Sequence, residues 1–217
     1  MTDAHFHRNV YDTFLVCEGR EFRFLGYHPW QAADLADPAG AFAGLAVRLT
    51  EDPALGVGEI GLDRLRTKAV PGIQRTTFRA QLELAAAFGR PVVLHGAKCW
   101  GEVYQACQPH QGRIPAFLFH GFSRATGLLP DIFALNGFVS LGPALLNDHA
   151  VNYRAMAKEL PLDRVLLESD RDPAEAEGQD ALIAALVARL AALRGLEPQT
   201  VAGAVAANAV RFLEPLL

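Results

Sequence analysis

A recurring unit, a short and nearly continuous apolar run followed by a longer segment of helical spacing, constrains this chain more than any other feature. "GVGEIGL" (56–62), "PVVLHG" (91–96), "PAFLFHGF" (115–122), "GFVSLG" (137–142) and "RVLLESD" (164–170) are such runs. Strands that read as continuous rather than alternating are buried on both faces, as in parallel sheets covered by helices. The intervening segments supply those helices. "IQRTTFRAQLELAAAFG" sets Phe78, Leu82, Ala85 and Phe88 on one stripe and stops at Gly89, ahead of Pro91; "ALIAALVARLAALRG" stops likewise at Gly195. The front of the chain breaks the rule. "TFLVC" and "FRFLGYH" are separated only by "EGRE", too short for a crossover helix, so a hairpin is predicted, with one of the two strands antiparallel to its neighbour.

With "DAHFH" as the first strand, the count reaches about eight. The predicted fold is therefore α/β: a distorted, shortened TIM-type (β/α) barrel in which a β-hairpin replaces an early crossover helix. A doubly wound open sheet is the alternative. At 217 residues the chain falls below the usual ~250 of such barrels. No linker or internal repeat divides it, so one domain over 1–217 is expected, with "PGIQ" near Pro71 and "DRDPAEAEGQD" after Ser169 as loops.

Composition excludes several classes. Three cysteines, Cys17, Cys99 and Cys107, without CxxC spacing suggest neither a disulfide framework nor a thiolate metal site, and fit a reducing cytoplasm. Asp3, His5 and His7 interrupt any signal-like start, and no apolar run approaches the roughly 18 residues of a membrane span, so no membrane partner is expected. A net charge of -4 argues against a surface that coats nucleic acid, while leaving room for a local cleft that reads phosphate.

The chemistry gathers at the strand ends. His5 and His7 alternate with Phe6, so both imidazoles point one way and Phe6 points to the barrel's outer layer. Glu59 lies within "GVGEIG", His95 closes "PVVLH", His120 closes "FLFH" and Asp170 follows "VLLES". Parallel barrels build their sites at this rim, and a carboxylate buried in an apolar run needs a partner or a metal. Each residue has a plainer use: a core histidine for His95 or His120, a helix cap for Asp170, an internal ion pair for Glu59. Their shared position favours one common cause. Imidazoles with carboxylates and no thiolates suit Zn²⁺, Mn²⁺ or a similar divalent ion, and Glu59 could bridge two ions.

In this order, "DAHFH", "GYHPW", "GEIGLD", "PVVLHG", "FHGF" and "LLESD" resemble the TatD family of metal-dependent hydrolases in the amidohydrolase superfamily, and "VAANAVRFL" is similar to its C-terminal helix. The resemblance implies a distorted barrel holding one or two divalent metals (Zn, Mg or Mn) and hydrolysing a phosphoester, often as a deoxyribonuclease. Carried over residue by residue, it implies His5, His7, Glu59 and Asp170 as ligands of a first metal and Glu59, His95 and His120 as ligands of a second. It places His28 near the site, where substrate phosphate contact competes with a turn residue held by Pro29. It suggests Asp63 as a carboxylate that orients a ligand or a loop. Three departures point to a short-form, TatD-related subgroup. They are the hairpin-like segment before "GYHPW", the "HGAKCW" that offers Lys98 in place of an arginine, and the acidic "RDPAEAEGQD" after "LLESD".

The expected function is that of a metal-dependent phosphodiesterase, a 3′-end exonuclease acting on a nucleic-acid end or small phosphoester. Divalent ions would lower the pKa of water, Asp170 would serve as general base, and Glu59 would bridge. Lys98, Arg64 and Arg171, just beyond strand ends, are candidates for holding phosphate against the plainer reading of solvated surface. Trp30 and Trp100 are candidates for base stacking against the more frequent use in packing. The same ions could instead serve hydrolysis of an amide, ester or lactone, an aminoacyl-tRNA ester included, and a catalytically silent scaffold is the non-enzymatic alternative.

Overall fold

The strand and helix pattern folds as a single eight-stranded sheet, ordered β1 to β8 in sequence, in a computed structural model that describes residues 1–8, 12–66, 71–123, 125–171 and 178–217. The strands are β1 (Asp3–His7), β2 (Asp12–Cys17), β3 (Arg20–Leu25), β4 (Gly56–Asp63), β5 (Val92–Ala97), β6 (Phe117–Phe119), β7 (Gly137–Leu141) and β8 (Val165–Leu167). The α-helices are α1 (Pro38–Glu51), α2 (Pro71–Phe88), α3 (Trp100–Cys107), α4 (Leu129–Ala134), α5 (Val151–Glu159), α6 (Gln179–Arg194) and α7 (Pro198–Leu213).

Strand β2 is the reversed one. It pairs antiparallel with both β1 and β3, whereas every pair from β3–β4 to β7–β8 is parallel. Its turn is two residues long: Cys17 faces Arg20, and Glu18 (φ 52) and Gly19 (φ 83) both take positive φ. That is the turn whose twist matches a hairpin, and a glycine makes it cheap.

The two edges of the sheet meet without a ladder. Asp170 N donates to His5 O (3.0 Å), His7 N donates to Arg171 O (2.9 Å), and Ser169 N donates to the Asp3 side chain (2.9 Å). These bonds seam β1 to the segment after β8, giving a nearly closed barrel. Asp3 is fully buried and also accepts from Gln179 Nε2 at 2.6 Å, so one carboxylate joins β1, the end of β8 and α6.

Helices cover the barrel as the stripes require. On α2, Phe78, Leu82 and Ala85 are buried and Phe88 is half-buried, with Gly89 just past the helix end. The β3 ring of Phe24 stacks on Phe212 of α7 at 5.8 Å, and buried Asn208 on the same helix donates to Leu162 O (2.8 Å) and Val165 O (2.7 Å). A buried amide with two acceptors fixes how α7 meets β8. Trp100, one of the two candidate stacking rings, belongs to the core and packs on Phe119 and Phe122.

Two loop expectations change. "PGIQ" is the first turn of α2 rather than a loop, because proline fits a helix start where no intrahelical N–H bond is lost. Of "DRDPAEAEGQD", 172–177 lie outside the described residues, and Gln179 and Asp180 already belong to α6. No helix among the described residues is long and apolar enough to cross a membrane.

Candidate metal centre

Alternation along β1 sends His5 and His7 to one side, where their Nε2 atoms stand 3.2 Å apart with the rings perpendicular. Phe6 goes the other way and is buried against Phe14, with the Arg8 guanidinium 5.6 Å from each ring. Glu59 comes up from β4 into the same space. Across from it, β5 approaches closely because Gly61, paired with His95, has no side chain: a Cβ there would collide with the His95 backbone.

Five imidazoles surround the one buried carboxylate of Glu59. Oε1 lies 2.6 Å from His95 Nδ1, 2.7 Å from His120 Nε2 and 3.4 Å from His28 Nε2. Oε2 lies 3.3 Å from His5 Nε2 and 3.5 Å from His7 Nε2. Asp170 adopts φ 49, a left-handed conformation that aspartate tolerates, and brings Oδ1 to 3.6 Å from His5 Nε2. The six residues implied as metal ligands are thus brought together, with His28 beside them.

Polar groups behind the rings bear on which nitrogen each one offers. His95 stands between two carboxylates, with Nδ1 2.6 Å from Glu59 Oε1 and Nε2 3.1 Å from Asp63 Oδ2; in the neutral ring, a proton kept on Nε2 by Asp63 would leave Nδ1 free to ligate a metal. His120 Nδ1 is 3.6 Å from buried Glu168, whose other oxygen accepts from Ser140 Oγ, so its Nε2 faces Glu59. His28 is the opposite case. Its Nδ1 accepts from Trp30 N at 3.2 Å, which places the proton of the neutral ring on Nε2. His28 is therefore arranged to donate a hydrogen bond into the site rather than to ligate an ion through Nε2.

The charges follow. Burial alone would raise Glu59, but His120, His5, His95 and His28 hold it well below the usual carboxylate range. Burial works to lower His120 and His95 as well, yet Glu59 with Glu168 holds His120 well above its ordinary value, and Glu59 with Asp63 raises His95. His5 is taken down to about 4 by complete burial and by His120. Burial also lowers His28, while loss of hydration, with Glu168 and Glu59 nearby, raises Asp170.

The donor set fits divalent cations. Metal–nitrogen bonds of about 2.0–2.1 Å meeting near the tetrahedral angle put two nitrogens about 3.4 Å apart, close to the 3.2 Å between His5 and His7. Among the described residues His5 Nδ1 has no hydrogen-bond partner, so that buried ring is held by packing with Nε2 turned inward. Three groups offer ligand atoms within 4.8 Å of one another: His5, His120 and Asp170; His5, His7 and Glu59; His28, Glu59 and His95.

The family model described as TatD related DNase matches residues 3–214. The chain belongs to the TatD family. A 3'-5' ssDNA/RNA exonuclease TatD from Edwardsiella piscicida is 29% identical over 144 residues, covering 66% of this chain and 53% of the relative. An uncharacterized metal-dependent hydrolase YabD from Bacillus subtilis is 25% identical over 146 residues, covering 67% of this chain and 56% of the relative. These matches thus span little more than half the length of those two relatives. Among solved structures, the TatD homolog YJJV from Escherichia coli is similar with a TM-score of 0.76 and 26% identity, over 87% of this chain and 75% of that one.

In this TatD-family chain the centre opens into a cavity of about 700 Å³, whose further wall residues include Thr13, Tyr27, Trp30, Gln31, Asp34 and Arg66. His28 lines it. The three cations singled out for phosphate do not. Arg64 turns to an ion pair with Glu102, Lys98 is exposed outside the wall, and Arg171 is drawn into the seam through its carbonyl. Standing just past a strand end is not enough, because the direction of the turn decides which side chain faces inward.

Sequence reasoning missed the residues that hold the rings and loops. Gln81 of α2 is fully buried and clamps Tyr27, accepting from its N–H (2.6 Å) and donating to its carbonyl (3.1 Å), which fixes the loop bearing His28. Gln74 accepts from Asp63 N at 3.0 Å. Glu168 lay inside the quoted "LLESD", two residues before Asp170, a spacing that sends both side chains to one face of an extended segment. Asp63 does more than orient one ligand: Oδ1 accepts from Leu65 N (2.6 Å) and Arg66 N (2.8 Å), and Oδ2 accepts from Trp30 Nε1 (2.6 Å) as well as from His95.

Proposed function

We propose that this chain is a divalent-metal-dependent phosphodiesterase that removes nucleotides from the 3′ end of single-stranded DNA or RNA. The observation that carries it is the convergence of five imidazoles on the two oxygens of Glu59 inside an open cavity, with Asp170 at its edge. The exonuclease and metal-dependent hydrolase named among its relatives support the substrate class and the metal.

His5, His7, Glu59 and Asp170 would hold one ion, and Glu59, His95 and His120 a second. The imidazole-rich set favours Zn²⁺ or Mn²⁺ over Mg²⁺, which prefers oxygen ligands. Bound there, such ions lower the pKa of water toward neutrality and stabilise charge developing on phosphate oxygens. Asp170, with its raised pKa and its position at the cavity edge, takes up a proton more readily than an ordinary aspartate. His28 donates from Nε2 toward an anionic oxygen. Asp63, in contact with His95 Nε2, and the buried Glu168 carboxylate behind His120 would favour the tautomers whose free nitrogens face Glu59. A cavity of about 700 Å³ has room for the end of a nucleotide chain.

The test is a 5′-labelled single-stranded oligonucleotide incubated with Mn²⁺, Zn²⁺ or Mg²⁺. Stepwise shortening that EDTA and Asp170→Asn abolish is expected. Cleavage of a lactone or an aminoacyl ester with no shortening of DNA or RNA would overturn the phosphodiesterase reading.

A further inference from the structure

One cation on the cavity wall has no part in the scheme above. Arg66 is the sole lysine or arginine among the described residues lining the cavity, where Glu59, Asp170 and Asp34 supply three carboxylates. It is exposed, and among the described residues it has no ion-pair partner, in contrast to Arg64 on Glu102, Arg8 on Glu21 and Arg23 on Asp12. Its guanidinium lies instead over the indole of Trp30, 4.0 Å from the ring centroid.

We infer that Arg66 is the residue that holds the substrate's phosphate, on a shelf made by Trp30 and set in place by Asp63. Stacking occupies the flat face of a guanidinium and leaves the N–H donors around its edge for bidentate pairing with phosphate oxygens. The shelf is rigid. Trp30 Nε1 donates to Asp63 Oδ2 at 2.6 Å, and the indole meets His28 edge to face at 4.4 Å. The other oxygen of Asp63 accepts the N–H groups of Leu65 and Arg66, fixing the turn that carries the arginine. Because Oδ2 also receives His95 Nε2 at 3.1 Å, one carboxylate relates the phosphate holder to a candidate metal ligand. Trp30 and Asp63 are positioning residues in this arrangement. A phosphodiester entering a wall with three carboxylates needs a fixed positive charge beside the metals, and Arg66 is the group in place to supply it.

This inference rests on the phosphodiesterase reading for its substrate, and the experiment separates the two. Arg66→Met, Arg66→Lys and Trp30→Phe are compared with the wild type in binding of thymidine 5′-monophosphate, with unphosphorylated thymidine as control, and in KM and kcat on a single-stranded oligonucleotide. Metal content is measured alongside. Loss of charged hydrogen bonds in Arg66→Met should weaken nucleotide binding and raise KM by roughly 10-fold or more, with bound metal unchanged. Arg66→Lys should recover only part, since an ammonium is a point charge without the fork, and Trp30→Phe should show a smaller loss than Arg66→Met. If the wild type cleaves no phosphodiester but Arg66→Met still loses thymidine 5′-monophosphate, the functional reading falls and the assignment of Arg66 stands. If the wild type cleaves and Arg66→Met binds and cleaves as it does, the assignment falls and the function stands. A wild type that binds the nucleotide no better than thymidine overturns the assignment as well.

Discussion

The two oxygens of Glu59 face unlike neighbourhoods. On the Oε1 side, His95 and His120 each have a carboxylate behind them, Asp63 at 3.1 Å and Glu168 at 3.6 Å, and both rings hold their protons more tightly than ordinary histidines. On the Oε2 side, His5 is sealed in the barrel with no carboxylate behind its Nδ1 among the described residues, and burial with His120 lowers it to about 4. One half is tuned by charge and the other by packing. The difference teaches that a symmetric-looking cluster of histidines around a shared carboxylate need not load its two halves alike: an ion would compete with more tightly held protons on the Oε1 side than at His5.

Glu59→Gln should have the largest effect, because it weakens both halves at once. Elemental analysis should show the bound metal lost from both, and kcat/KM should fall by more than the roughly 10–100-fold typical of removing an outer partner. Retention of one ion would show that the halves are more independent than their shared carboxylate suggests. Asp63→Asn and Glu168→Gln should come next, each weakening metal binding on the Oε1 side by about 10–100-fold in chelator competition while leaving the His5 half occupied. Asp63→Asn should be the more severe, since that carboxylate also holds the Trp30 indole and the Arg66 turn.

The pH dependence sharpens the contrast. Glu59, with Asp63 and Glu168, raises His95 and His120 above the ordinary histidine value, so each gives up its proton at a higher pH than an unperturbed histidine would. Metal affinity on the Oε1 side should therefore rise with pH above about 6.5, by up to roughly 10-fold per unit for each proton displaced. Titration calorimetry in buffers of different ionisation enthalpy should detect that release. His5, lowered to about 4, should add no pH dependence above about pH 5. Smallest of all, Lys98→Met and Arg64→Met should change KM on an oligonucleotide by less than about 2-fold, the scale of exposed surface charges.

Much of the candidate site was legible because alternation and apolar runs are local properties. His5 and His7 had to share a face, and Glu59, His95, His120 and Asp170 each stood out as a polar group in or just after an apolar run, although Glu59 and His95 lie within β4 and β5 and only His120 and Asp170 follow their strands. The phosphate candidates were not legible. Arg64 and Arg66 lie two residues apart after the same strand, yet the first pairs with Glu102 outside and the second lies on Trp30 inside. The Asp63 turn makes that choice, and its partners Trp30 and His95 are brought to it from more than thirty residues away in sequence. Gln81 was equally hidden, because a polar residue in a helix betrays its purpose only when the loop it clamps is in place.

By itself the sequence determined a count of about eight strands, a hairpin with one reversed strand near the start, the helical cover and the set of side chains able to ligate a metal, since period, turn length and residue chemistry act over a few neighbours. Only the tertiary structure decided the tautomer each histidine presents, the seam that Asp3 makes between β1 and the chain after β8, and which arginine faces the cavity. Those depend on atoms from distant segments meeting within hydrogen-bond distance, and a bond of about 3 Å carries no trace in the spacing of residues along the chain.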